Sequence, residues 1–443
     1  MNSPSEQYYP LSFQQEEELR DYRQFPYRTA SCSDVRLFRF GVQVDPTHLA
    51  LAIDDLVERH AVLRTTIGRA PDHLQVVHQE LPRLSRASAT PADDVEKLVG
   101  QLVRRRPDLD AILSGRPLFL PQLHEVAGQL LLSLSIHHLV NDGWSWKIIW
   151  RDLAELYAAR AARRPPALPP LPLCYGEFAE VQRKSWNTQR RTAVAFWTSV
   201  VSGYPGTVRW PPPAAPQAET HAASSQGFAL PAECVTAVRG LARGWQASPF
   251  TVLLCATGVA LSRVMGQPDL LIATDFANRV NPDVRQTVGF LSNIRLTRIN
   301  LLSARSFDGL VAIVRDTWRA AEQHRDAPIG PLLDELHRPE YVKVAMDIAS
   351  TVQETLTLPG VQVAEVPIMV SDPYPRKLKV QWAGEKSGYV ANVTTQPSAV
   401  DPSTAAEIAG QITDVLRRPA HALRHVLRGG TTQTRAQHFR AAR

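Results

Sequence analysis

A chain of 443 residues with 49 lysines and arginines against 43 aspartates and glutamates carries a formal charge of +6. That excess is mild and no basic helix interleaved with aromatics accompanies it, so composition speaks against a nucleic-acid partner. Hydrophobic residues at 44% and charged residues at 21% exclude a disordered chain and supply a sizeable core, and the length suits two or three domains.

The chain starts Met1-Asn2-Ser3-Pro4-Ser5-Glu6-Gln7, without the basic start and apolar core of a secretory signal; a cytoplasmic protein with no membrane contact is expected. Cys32, Cys174, Cys234 and Cys255 stand far apart with no CxxC or metal-like spacing and read as free thiols in a reducing compartment. Asp45-Pro46 opens a predicted helix whose apolar face is Leu49, Ile53, Leu56 and Val57. Val62 to Ile67 reads as a strand, and residues 94–105 place Val95, Leu98, Val99, Leu102 and Val103 at helical steps. In Leu130 to Ile136, Leu132, Leu134 and Ile136 alternate with Ser133 and Ser135, which predicts a half-buried strand.

That strand feeds His137-His138-Leu139-Val140-Asn141-Asp142-Gly143, and Trp144 to Arg160 follows with Ile149, Leu153, Leu156 and Tyr157 on one helical face. Two histidines, an aspartate and a glycine therefore sit on a strand-to-helix turn. Continued alternation sends His137 and His138 to opposite faces. Adjacent histidines also occur as hydrogen-bonded interior residues, yet an imidazole that titrates near neutrality is suited to taking or giving a proton during acyl transfer. Asp142 is placed to hold the loop, and Gly143 to supply a backbone conformation that a side chain would hinder.

Prolines at 165, 166, 169, 170 and 172 mark a stiff connector, and the Pro- and Ala-rich stretch Trp210 to Ser225 an exposed loop. The expected division is 1–173, 174–425 and a basic tail, 426–443. Pro249 to Met265 is apolar for about 17 residues with Arg263 inside it, short of the about 20 a spanning helix needs, and reads as a core helix capped by Ser248 and ended by Gly266. A Gly266-Gln267-Pro268-Asp269 turn leads to the strand Leu270 to Thr274, then to Arg279 in a polar loop. Beyond Asp414 only basic residues carry charge, which suits either a solvated tail or attraction to an acidic partner. Helices and strands mix without regular alternation, favouring an α+β fold. No P-loop, GxSxG elbow or HExxH pair occurs, so no cofactor and no metal are expected.

The segment Ile136 to Ser145 resembles the HHxxxDG motif of the condensation domains of nonribosomal peptide synthetases, followed by Trp-Ser. Arg59-His60 with Leu63-Arg64-Thr65 is similar to the family's RHxxLRT stretch, and Tyr175, Phe178 and Ala179 to YxDFA, with Glu177 for the aspartate. Ala277-Asn278-Arg279 resembles ANR, Val288-Gly289-Phe290 with Asn293 resembles VGxFVN, and His324, Asp326 and Pro328 resemble HQDxPF. Six matches fall in family order, and the similarity spans about residues 9 to 425. There are departures: Glu16-Glu17-Glu18 stand where arginine and aromatics are usual, no RDxSRNP-like stretch occurs in Tyr341 to Thr351, and Lys377-Leu378-Lys379 replaces a region that often reads Asp-Leu. They bear on substrate selection and module docking.

The resemblance implies two chloramphenicol-acetyltransferase-like lobes, α+β, forming a V-shaped pseudo-dimer with a central cleft, and hence a monomer. It implies transfer of an acyl or aminoacyl group from a carrier-protein phosphopantetheine thioester to a small-molecule amine or alcohol, giving an amide or ester in natural-product biosynthesis. His138 is implied as general base or positioning group, His137 as shaping the loop, and Gly143 as letting its backbone approach the reacting carbonyl. Asp142 is implied to pair with Arg279, and Trp144, Ser145 and Asn293 to line a substrate channel. With no adenylation or carrier domain in the sequence, a free-standing enzyme is expected; Leu427 to Thr431 is similar to a carrier LGGxS motif but lacks its serine. An acyl-CoA-dependent acyltransferase and a catalytically silent recruitment platform are the competing expectations.

Overall fold

The computed structural model describes residues 6–68, 73–80, 82–86, 94–211, 223–337, 340–347, 355–368, 377–385 and 388–423. The basic tail, most of the Trp210 to Ser225 loop and the end of the Tyr341 to Thr351 stretch lie outside the described residues.

Two compact units divide the chain, and neither is contiguous. The first comprises Met1–Thr188 together with Ala277–Asn293 and Gln353–Pro373; the second comprises Gln189–Phe276, Ile294–Val352 and Tyr374–Arg443. The division therefore differs from a single cut near residue 174. It falls inside one long helix, which a proline-rich connector before the helix does not reveal, and two later segments return to the first unit.

Unit 1 is built from α1 (Phe13–Gln24), β1 (Ser33–Phe40), α2 (Pro46–Arg59), β2 (Phe119–Val126), β3 (Gln129–His137), α3 (Gly143–Ala161) and the start of α4 (Tyr175–Val201). Its larger sheet has the order Val363–Val366, β1, β3, β2, Ser85–Arg86. Central β3 runs antiparallel to both neighbours, with Ser33 opposite His137 and Phe119 opposite Ile136. α2 and α3 pack on one face, burying Leu49, Ile53, Leu56, Ile149 and Leu153 against Phe38, Leu132, Leu134 and Ile136. The opposite face is also covered, because Leu98 and Leu102 of the helix Val95–Arg104 pack on Leu37, Val126 and Leu131. Ser133 is consequently buried too, its hydroxyl bonded to His124 Nε2 at 2.7 Å, so β3 is covered on both sides where alternation predicts one. Only Thr65–Ile67 of the expected strand 62–67 is extended; Ala61–Arg64 forms a 3₁₀ turn, tightened by Leu63 N–H on His60 O at 2.9 Å.

Unit 2 contains α5 (Pro249–Met265), β4 (Asp269–Phe276), β5 (Ile294 onward in Asn293–Asn300) and α6 (Phe307–Ala321). Its six-stranded sheet has the order β5, β4, Val342–Asp347, Leu378–Glu385, Gly388–Thr395, Ser224–Ala229. The pairs flanking Val342–Asp347 are parallel and the two pairs beyond Leu378–Glu385 antiparallel, a mixed sheet. α5 is buried nearly all round, capped by Ser248 and closed by Gly266 at φ 61°, which explains a composition apolar enough to suggest a membrane span. Among the described residues no single helix is long and apolar enough to cross a membrane. Each unit packs helices on a larger sheet, and the class is α+β.

Candidate active site

β3 carries the hydrogen-bonded ladder up to the histidines: His137 N–H donates to Leu118 O and His138 N–H to Cys32 O, both at 2.8 Å. His137 is 1% exposed and uses both ring nitrogens. Nε2–H donates to Thr29 O at 3.1 Å, and Nδ1 accepts the Leu139 N–H at 3.2 Å. Tyr22 meets its ring edge-on. Burial pushes its pKa down to about 4, so the ring is a neutral interior strut that sets the following 3₁₀ turn, His138–Val140.

His138 is half-buried and faces the other way. Its Nδ1–H donates to Asn141 O at 2.7 Å, which places the imidazole lone pair on Nε2. The ring of Phe290 lies against the imidazole, centroids 4.2 Å apart and planes tilted 34°. Asn141 is itself tied by Nδ2–H to Asp34 Oδ2 at 3.1 Å, and Trp146 Nε1–H holds the same oxygen at 3.0 Å.

Asp142 caps α3 and is 2% exposed. Its Oδ1 accepts from Ser145 N at 3.0 Å, Ser145 Oγ at 2.8 Å and Arg279 Nη2 at 2.9 Å. Its Oδ2 accepts from Arg279 Nη1 at 2.8 Å, Leu291 N at 3.1 Å and Ser292 N at 3.0 Å. Burial alone would raise this carboxyl's pKa, but the Arg279 charge and the donors around it outweigh burial and hold it below the ordinary carboxylate value. Every lone pair is engaged, so the group is a brace. Arg279 follows Asn278, whose φ of 52° turns the loop, and bonds Ala277 O, Thr287 O and Gly289 O as well.

The loop that carries Phe290 is pinned from three sides. Gly289 N–H donates to Ser145 Oγ at 3.1 Å, Tyr175 O–H donates to Phe290 O at 3.0 Å, and Ser12 Oγ lies 2.8 Å from the Tyr175 hydroxyl. Gln15 completes the capping box of α1 and donates Nε2–H to Leu139 O at 2.9 Å, linking α1 to the histidine turn. Gly289 has φ 154°, and a Cβ there would lie 2.2 Å from the Tyr175 ring. Gly289→Ala is therefore expected to destabilise unit 1 by about 1–3 kcal/mol or more, through overpacking and backbone strain, and urea denaturation measures it.

The expected site residues fall into distinct places. Arg279 pairs with Asp142 bidentately, as the family pattern implies. Ser145 is fully buried and bonded within the brace, so it does not line a channel; the helix that follows Asp142 turns it inward. Asn293 is 3% exposed at the start of its strand, while Trp144 is half-exposed, with Arg279 6.0 Å from its ring centroid. Gly143 is exposed, has no positive φ, and an added Cβ meets nothing within 4 Å, so its own chain does not demand glycine there. Arg59 and His60 lie away from the histidine turn, holding Asp152 of α3 at 2.8 and 2.9 Å. Reading the motifs alone misses Asp34 and Asn141 as positioning residues; Ser12, the serine kept from the family's first motif, caps α1 and meets the Tyr175 hydroxyl. Among the described residues no group of three or more His, Cys, Asp and Glu is arranged to hold a metal.

Three buried histidines make unit 1 acid-sensitive. Burial depresses the pKa of His137 and His124 to about 4, and that of His60 below its usual value. The unfolded chain binds protons from pH about 6.5 downward while the folded rings stay neutral, so stability rises with pH through this window and is lost as pH falls from about 6.5 toward 4. Denaturation at pH 7 and pH 5 should differ by about 1–2 kcal/mol for each of His137 and His124; equal stabilities would contradict the neutral-strut assignment.

Residues 5–367 match the family model described as Condensation domain. The phosphinothricin tripeptide synthetase PhsC of Streptomyces viridochromogenes is 32% identical over 312 residues, covering 67% of this chain and 28% of that protein. The N-(5-amino-5-carboxypentanoyl)-L-cysteinyl-D-valine synthase of Amycolatopsis lactamdurans is 33% identical over 300 residues, covering 64% of this chain and 8% of that protein. The chain thus spans well under a third of these relatives. Similar folds occur in the X-domain in complex with OxyB from teicoplanin biosynthesis (TM-score 0.78, 21% identity, 95% of each chain). They also occur in the condensation domain of the Monacolin K polyketide synthase MokA (TM-score 0.75, 18% identity, 94% of this chain and 98% of that one). With a family model matched across most of its length and a bidentate Asp142–Arg279 brace behind His138, this chain belongs to the condensation-domain family.

Proposed function

We propose that the chain transfers an acyl or aminoacyl group from a phosphopantetheine thioester on a carrier protein to an amine or hydroxyl acceptor, as a step in natural-product biosynthesis. The observation that carries this reading is the single orientation of His138: with Nδ1–H held by Asn141 O, the free Nε2 is the proton acceptor. Nε2 takes the proton of the acceptor nucleophile as it adds to the thioester carbonyl. The tetrahedral intermediate then expels the thiolate, which recovers that proton from the imidazolium. Asp142 stays ionised throughout and holds the turn through Arg279.

Gly143 supports the same reading. It opens α3 at a helix N-terminus, where backbone N–H groups favour developing negative charge, and its missing side chain leaves that end open. Gly143→Ala should leave stability within about 0.5 kcal/mol, since alanine is a better helix former, yet lower turnover at least about tenfold by obstructing the reacting carbonyl. Steady-state kinetics alongside thermal melts separate the two; unaltered turnover would remove Gly143 from the site.

The test of the function is a single-turnover assay with one acyl group loaded on a carrier protein or on CoA, wild type against His138→Ala, over a panel of amines and alcohols. Carrier-dependent product lost in the folded variant supports condensation and reveals amide or ester. Equal use of CoA replaces the donor. The likeness to the X-domain bound to OxyB supports a second reading, a platform that recruits another enzyme; absence of turnover with every pair would favour it.

A further inference from the structure

Unit 2 holds a guanidinium that its own residues leave largely unsatisfied. Arg295 of β5 has a side chain 7% exposed, lying against the ring of Phe276 at 5.0 Å and that of Trp318 at 4.8 Å. Among the described residues its one hydrogen bond is a long one, Nη1 to Glu322 Oε2 at 3.3 Å, and its Nε is buried without a partner. Glu322 is shared, its other oxygen accepting from Arg325 Nη1 at 3.1 Å, and Arg325 Nε lies 3.9 Å from Asp326.

Two other arginines of this chain, half-buried Arg298 and buried Arg279, make more bonds. Arg298, on the same strand, spreads Nε and Nη2 over both oxygens of Asp269 at 2.9 and 2.7 Å and bonds carbonyls besides. Arg279, whose Nε is likewise buried without a partner, nevertheless spans the Asp142 carboxylate and adds three carbonyls. Arg295 lies between them in burial and has one long bond where they have several, and burial pulls its pKa below the ordinary guanidinium value, with Glu322 opposing. A desolvated charge with unmade hydrogen bonds is costly, and an evolved interior keeps one where something else completes it.

We propose that Arg295 is a carboxylate-recognition point of unit 2, with its Nε–H and Nη2–H edge taking a small-molecule carboxylate side-on while Glu322 keeps Nη1. That edge is a planar two-donor fork, matched to the two oxygens of a carboxylate. A phosphate, with greater charge, calls for more donors than the edge offers. Phe276 and Trp318 hold the guanidinium against rotation and shield the contact from water, which strengthens a charge-assisted pair. The inference does not rest on acyl transfer, so it stands or falls separately from it.

Trp318 supplies the reporter. Its indole N–H is bonded to Thr297 Oγ1 at 2.7 Å beside the guanidinium, and its resonance in ¹H–¹⁵N spectra of the full chain is assigned by comparison with Trp318→Phe. Benzoate is expected to shift this resonance saturably, its neutral analogue benzamide to leave it in place, and inorganic phosphate to bind more weakly than benzoate. Arg295→Lys keeps the charge but not the fork and should weaken benzoate about tenfold; Arg295→Gln should abolish the effect. No shift with benzoate, an equal shift with benzamide, tighter binding of phosphate, or unchanged affinity in the folded variants would each overturn the assignment. Should both variants fail to fold, the benzoate and benzamide pair on the wild type still decides it.

Discussion

His138→Ala is expected to lower kcat for acyl transfer by about 10²–10⁴-fold, the span of a lost general base, with little change in KM. The size follows from geometry. Asn141 O fixes the tautomer and Phe290 fixes the ring plane, so the lone pair lies on Nε2, and neither Asp142 nor His137 is placed to replace it. Asp142 has no lone pair to spare, and His137 is buried with both nitrogens bonded. The fold should survive, because His138 is half-buried and its loss removes one neutral hydrogen bond and one ring contact, roughly 1–2 kcal/mol together. Circular dichroism checks the fold and single-turnover kinetics the rate. Retention of more than about a tenth of wild-type kcat in a folded variant would move the chemistry off this imidazole.

Arg279→Leu should have the largest effect on stability, about 3–5 kcal/mol, because it strands a buried carboxylate rather than removing a surface charge. Both groups are desolvated, with side chains 0% and 2% exposed. The loss extends beyond the pair, since Arg279 also holds Ala277, Thr287 and Gly289 carbonyls and so the loop that presents Phe290 to His138. Activity should fall with stability, and the His138 ring resonance should lose its single tautomer. Arg279→Lys should be intermediate, since an ammonium cannot span both oxygens. The pH dependence has a defined sign. Asp142's folded pKa lies below its unfolded value, so the contribution is present above about pH 3.8 and is lost as pH falls through the folded pKa. Urea denaturation of wild type and variant at pH 7 and pH 3 measures this; a variant as stable as wild type at pH 7 would contradict the brace.

What was legible in the sequence was local. Ser248, Pro249 and Gly266 bounded α5 because capping and the left-handed terminal residue act within one turn, and Asp45-Pro46 opened α2 for the same reason. The histidine turn was legible because periodicity changes from strand to helix across it. The motif matches also pointed to Arg279 as the partner of Asp142, and the geometry agrees.

The rest was decided by residues distant in the chain. Ser133 looked like the wet side of a strand until a helix from residues 95–104 covered it. Gly143 looked like a backbone requirement, yet nothing in its own chain needs a glycine there, whereas Gly289, quoted only as part of a motif, is the one whose Cβ would strike Tyr175. Ser145 looked like a channel residue and became part of the brace. The sequence by itself determined the elements, their caps and the chemical groups on the turn, because backbone preference and side-chain period are set by neighbours in sequence. Only the tertiary structure decided which histidine is buried with both ring nitrogens bonded and which stays half-buried with Nδ1 bonded. That choice depends on Thr29, Asn141, Phe290 and the Asp142 brace meeting in space, and on burial, which no local pattern encodes.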